Sequence, residues 1–253
     1  VFRKTPRVIA LGATVSLLAL ATATQSSAYD KERYGYAATH MIEHSVIPKS
    51  LGPMTDKLNF YVLPGSKSQR IYLCSGIPTS DPDEFKQVAV KAPVSSYNGS
   101  YNSDPSLTTN QKNFRYTSLS VTVNEFSTAS AASKTFDLIK ERAKKCKGTK
   151  TTTTPGDGDV PDSSYTNSYR NGQLASVTFN GQPSVYVETD FLNQEPQNDA
   201  TVGSGTDNLT IYSLVGSVVI QTMYSNSQVT RLSSKKKNGV ARVANAAIQA
   251  WRG

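Results

Sequence analysis

Residues 40–44, HMIEH, have the H-x-x-E-H spacing. On a helix this spacing turns two imidazoles to one face to hold zinc, with the carboxylate as base. His40 and His44 are the only two histidines of the chain, so a catalytic zinc would need a third ligand that the sequence does not mark out. The pattern reads as a coincidence on an amphipathic helix, and no metal is expected. A second pair lies in VETDF, residues 187–191, where Glu188 and Asp190 point to one side of a strand. Two carboxylates so placed suit a glycosidase or a cation; the plainer expectation is a solvated strand face. Residues 157–159, DGD, lack EF-hand spacing. G-x-S-x-G is absent, and its nearest look-alike, residues 203–208, falls in a stretch that reads as loop. No catalytic residue is assigned.

Tyrosine is the more informative residue. There are thirteen, against one tryptophan, and Tyr61, Tyr72, Tyr186, Tyr212 and Tyr224 fall on strand-like runs. A tyrosine ring is apolar and its hydroxyl polar, so tyrosines on a sheet face can line a groove for a sugar, lipid or peptide. Tyr61, Tyr186 and Tyr212 are the candidate ligand-binding residues; ordinary half-buried strand tyrosines are the plainer alternative. The two cysteines, Cys74 and Cys146, have neither C-x-x-C nor zinc spacing. In an exported chain they are expected to form a disulfide, which would contribute roughly 4 kcal/mol by closing a long loop.

Export is the expectation from residues 1–28. Arg3, Lys4 and Arg7 precede an apolar run, and Ser26-Ser27-Ala28 supply small residues for cleavage, as in a secretory signal peptide. The alternative is an uncleaved anchor. The mature chain would be 29–253, secreted, with no second run long enough to span a membrane. The net charge of +8 falls to near +5 without the leader, and much of it sits in lysine clusters at 140–150 and 233–239. Such clusters are solvated or touch anionic polymers. No aromatic-rich nucleic-acid motif accompanies them, and neither a nucleic-acid partner nor a cofactor is implied.

The elements that must position these residues follow from periodicity. Helices are expected at 30–47, 128–147 and 238–251, and strands at 58–63 and 70–74 (a hairpin), 85–93, 114–126 and 149–154. Three further runs, 164–170, 174–180 and 184–192, are separated by Asn171-Gly172 and Asn180-Gly181, the strongest two-residue hairpin signal. Residues 94–113 and 193–207 read as long polar loops, and 209–225 as a hairpin about Gly216-Ser217. The economical fold is α+β: one domain with a twisted antiparallel sheet of about seven to nine strands and about three packed helices.

Residues 120–153 run strand, small-residue turn, helix, Cys-x-Gly, strand. This segment resembles the extracellular sensor domain of mycobacterial PknH-type serine/threonine kinases and related exported actinobacterial proteins. Residues 211–225 and 240–251 resemble its late hairpin and closing helix, so the likeness spans about 50–252. Ala143 stands where the family often has tryptophan, Ser213 or Leu214 where its hairpin has a basic residue, and one disulfide is possible instead of two. The resemblance implies a free-standing secreted relative whose cleft binds an unknown small molecule or envelope component; it does not imply catalysis. A secreted hydrolase, using Glu188 and Asp190 or zinc at His40 and His44, and a basic polymer-docking protein are the alternatives.

Overall fold

The structure, a computed structural model, describes residues 36–64, 70–71, 88–89, 93–103, 116–156, 163–197, 200–227 and 231–252. The expected signal peptide, Tyr72, Cys74 and residues 157–159 lie outside the described residues. The chain divides into two units, Val1–Thr39 and His40–Gly253. Among the described residues, helix α1 covers 36–40.

The second unit is built on an eight-stranded sheet in the order β1-β4-β5-β10-β9-β8-β7-β6. Its strands are β1 (Asn59–Pro64), β4 (Ser95–Asn102), β5 (Thr117–Glu125), β6 (Gly148–Thr154), β7 (Ser163–Phe179), β8 (Gln182–Gln197), β9 (Ala200–Val215) and β10 (Val218–Asn226). Every pairing is antiparallel. A separate two-residue pair joins β2 (Arg70–Ile71) to β3 (Val88–Ala89). The α+β class is as expected.

Strand alternation divides the core between two faces. On one face Tyr169, Val185, Val187, Tyr212 and Val219 pack with Ala132, Phe136 and Ile139 of α2 (Ala129–Ala143). The other face carries Leu119, Val121, Ile211, Ile220 and Tyr224, all buried. It meets α3 (Ser234–Ala250), whose Val240, Val243, Ala244, Ala247 and Ile248 form the buried stripe. Trp251 stacks on Tyr97 at 5.8 Å between ring centroids. Thr128 caps α2, its hydroxyl accepting from the Ala131 N–H at 3.1 Å, as the spacing predicts.

Five expectations are corrected. The 30–47 helix does not run through: a bend follows His40, and His44–Val46 is a separate 3₁₀ turn. β1 pairs with β4, and Arg70–Ile71 of the expected partner run pairs with β3. Residues 95–102, read as loop, are an inner strand. SSYNGSYN has few apolar side chains, but Ser96 donates to Asn124 at 2.7 Å and Asn98 to Thr122 at 2.6 Å, so polar pairs across β4 and β5 replace apolar ones. Asn171-Gly172 is no turn but lies inside β7. There Asn171 donates to the Cys146 carbonyl at 2.8 Å, and a Cβ on Gly172 would sit 2.7 Å from the Tyr186 ring. Residues 193–197 and 200–207, read as loop, extend β8 and β9, in register to Gln197↔Ala200. The other two turns form as expected: Asn180 and Gly181 both have positive φ, 47° and 78°, and Gly216 turns β9 into β10.

α3 is held close to the 3₁₀ turn Lys49–Leu51 through Gly239, where a Cβ would lie 2.8 Å from Ser50 Oγ and 2.9 Å from a Leu51 methyl. Gly239→Ala gains about 1 kcal/mol of helix propensity but overpacks this contact by about 1–3 kcal/mol. Net destabilisation of about 1 kcal/mol is expected, read as a lower urea midpoint; a higher midpoint would mean that the contact yields freely.

Candidate functional site

The α3 face of the sheet becomes polar toward one end. Register aligns Arg170, Glu188, Leu209 and Tyr224 in one cross-strand row. The next row is Ser168, Asp190, Asp207, Asn226 and Thr117. Directly opposed residues on neighbouring strands share a face, so these side chains meet under the N-terminal end of α3.

Glu188 is 1% exposed, which overturns the solvated strand face expected for it. Burial of a carboxylate demands compensation. Arg170 supplies it: its Nε donates to Oε2 at 3.2 Å and its Nη2 lies 3.2 Å from Oε1, while the same Nη2 also binds Asp190. Lys237 Nζ donates to Glu188 Oε2 at 2.6 Å. Lys237 stands in the first turns of α3, which has no acidic residue there, so its charge opposes the helix dipole and Glu188 offsets that cost. Burial works against the Arg170 cation, but its bonds to Glu188 and Asp190 outweigh burial and raise its pKa.

Asp207 was not singled out in the sequence. It is 2% exposed, and among the described residues neither carboxylate oxygen has a hydrogen-bond donor. Burial first, then the facing Asp190 and the charge of Glu188, push its pKa up to about 8. The Leu232 N–H, close by but outside bonding geometry, pulls the other way. Burial would raise Asp190 too, but Asp207 as donor, together with Arg170 and Arg231, holds it below the usual carboxylate range. The two groups thus share one proton, with Asp207 its main holder. Oxygens of Glu188, Asp190 and Asp207 lie within 4.8 Å of one another, a set able to hold a metal ion.

Beside the cluster a cleft of about 220 Å³ opens between α3 and the β7–β8–β9 face. Leu174, Leu209, Ala241 and the Tyr186 ring give it apolar walls; Lys237, Asn238 and Ser234 give it polar ones. Gly172 leaves the space in which the Tyr186 ring sits.

Among solved structures, this fold is similar to the extracellular domain of PknH from Mycobacterium tuberculosis, at 11% identity, a TM-score of 0.45, and coverage of 84% of this chain and 94% of that chain. That is the family which residues 120–153 resemble. At this identity and TM-score the likeness carries no ligand and no residue role to this chain. No protein-family model and no curated protein sequence matches it.

The three candidate tyrosines are not brought together. Tyr186 lines the cleft. Tyr212 is 1% exposed within the α2 core, where burial raises its pKa. Tyr61 is 49% exposed on β1, in the same cross-strand row as Tyr212 and so on the face away from Tyr186. His40 and His44 face separate neighbours: His40 meets the Trp251 ring edge-on at 6.4 Å, and His44 Nε2 donates to the Met54 carbonyl at 3.2 Å. Cys146 is fully buried in the α2 core, and its expected partner lies outside the described residues. No helix among the described residues is long and apolar enough to cross a membrane.

Proposed function

We propose that the chain is an exported, non-enzymatic ligand-binding domain of a bacterial cell envelope, with its ligand seated in the cleft at Tyr186 and Lys237. The cleft's mixed lining carries this reading. Leu174, Leu209, Ala241 and the Tyr186 ring offer burial to an apolar body, while Lys237 and Asn238 stand where a polar or anionic end would be fixed. The leader-like residues 1–28 support export, and the lack of a free cysteine among the described residues supports the Cys74–Cys146 bridge.

The hydrolase alternative draws on the same cluster. Asp190 and Asp207 titrate far apart, as an acid–base pair does. Against it, Asp207 is 2% exposed, and Arg170 engages both Glu188 and Asp190. A substrate would have to displace those partners before reaching either carboxylate.

Native mass spectrometry of the chain secreted by its own host tests the proposal. The expected wild-type spectrum shows loss of the leader, no free thiol and an added organic mass. Ala241→Trp, which fills the cleft, should lose that added mass at least tenfold while keeping the bridge. A bare wild-type mass, or an adduct indifferent to Ala241→Trp, would remove the cleft from consideration. Turnover of an envelope substrate, lost on Asp190→Asn, would replace binding with hydrolysis.

A further inference from the structure

We propose that Asp190, Asp207 and Asn226 form a binding site for a hard divalent cation of the Ca²⁺ type, beside the cleft and distinct from it. Among the described residues, Asp190 Oδ1, both Asp207 oxygens and Asn226 Oδ1 are buried and have no hydrogen-bond partner beyond the proton that the two aspartates share. Register places Asp190 opposite Asp207, and Asp207 opposite Asn226, on the adjacent strands β8, β9 and β10. Asn226 is the independent observation beyond the acidic cluster: it is 1% exposed, faces Asp207, and leaves an amide carbonyl unpartnered. Apart from the one proton that Asp190 and Asp207 share, the described residues give these oxygens no donor, and a cation that takes the place of that proton satisfies several of them at once.

The donor chemistry selects among cations. Carboxylate and amide oxygens, with no imidazole or thiolate, suit Ca²⁺ or Mg²⁺ and not zinc. Two oxygens on opposite sides of a Ca²⁺ ion, each at about 2.4 Å, are at most about 4.8 Å apart. The carboxylate oxygens of Glu188, Asp190 and Asp207 fall within that span, 4.8 Å. Mg²⁺ demands near-octahedral ligands at about 2.0–2.1 Å and a more contracted cage. Asp190, its side chain 27% exposed, opens the row to solvent.

Arg170 and Lys237 set the strength. They engage Glu188 and Asp190 Oδ2, so even when the ion displaces the proton on Asp207 only one of the three negative charges is left over. Affinity is therefore expected at the weak end of Ca²⁺ sites, with Kd about 10⁻⁴–10⁻³ M.

The test is calorimetric titration of the full folded protein with CaCl₂ after dialysis against chelator, with MgCl₂ in parallel. One Ca²⁺ per chain, bound at least tenfold tighter than Mg²⁺, is expected. Asp207→Asn should weaken Ca²⁺ at least tenfold. Asn226→Asp, which adds a carboxylate to the row, should tighten it at least tenfold, and a gain cannot come from misfolding. Lys237→Met should tighten it severalfold by removing a competing cation. Absence of Ca²⁺ binding to the folded wild type at 10 times the expected Kd overturns the proposal. So does binding that Asp207→Asn and Asn226→Asp both leave unchanged, since the ion would then sit elsewhere.

Discussion

Replacing Arg170 with methionine is expected to cost about 3–5 kcal/mol of folding stability, the range for removing one partner of a buried ion pair. In a domain of this size, that lowers the melting temperature by on the order of 10 °C. The loss exceeds anything expected from a surface pair because Glu188 is 1% exposed. Without the Arg170 fork, its carboxylate keeps only Lys237, whose side chain is 30% exposed and can turn to water. The exposed pair Lys140–Asp137, 3.2 Å apart at i,i+3, is the internal control: breaking it should cost about 0–0.5 kcal/mol. The double variant Arg170→Met, Glu188→Leu should recover most of the loss, because apolar side chains of similar volume often replace a buried pair at no cost. Urea denaturation of the three proteins at neutral pH separates these outcomes. A single variant that loses less than about 1 kcal/mol would mean that Lys237 alone satisfies Glu188.

The contrast between Glu188 and Asp207 shows how far the residue string could be read. Glu188 and Asp190 announced themselves by alternation within one strand, and the structure keeps them on one face. Their environment was invisible because Arg170 and Lys237 approach from β7 and α3, and cross-strand register is long-range information. Asp207 lay in NQEPQNDATVGSGTD, whose glycines and polar residues imitate a loop; pairing of β8 with β9 turns that stretch into strand and sets Asp207 opposite Asp190. The same override acted at SSYNGSYN, where hydroxyl and amide pairs take the place of an apolar stripe, and at Asn171-Gly172. A glycine needed for close approach to Tyr186 has the same letters as one needed for a turn. Helices α2 and α3 were legible because a 3.6-residue stripe and a capping hydroxyl are local signals. The tyrosine count was a poor guide, since alternation sends neighbouring strand tyrosines to opposite faces and composition cannot record which.

Stability is expected to fall as pH rises from about 4 to about 8, the reverse of the usual acid side of a protein's profile. In the folded chain Asp207 holds its proton up to about 8; in an unfolded chain an aspartate loses it near 3.9. Between these limits the native state binds the extra proton, so ionisation draws the equilibrium toward unfolding as pH increases. The contribution is complete below the unfolded value and gone above about 8, and its size is on the order of several kcal/mol. Asp190 works in the opposite sense: its lowered folded pKa gives a contribution present above about 3.9 and lost as pH falls below it. The combined contribution of these two carboxyls is largest near pH 4–5. Asp207→Asn keeps the shape of the side chain but cannot ionise, so its profile should be flat across the window and cross the wild-type curve, leaving the variant the more stable protein at pH 8. Urea midpoints from pH 4.5 to 8.5, taken with chelator present so that no cation competes with the proton, measure this directly. A wild-type midpoint that is flat or rises across that window would mean that Asp207 finds a donor in solution and is ionised throughout. Protonation of this one carboxyl would then have no part in holding β8, β9 and β10 together.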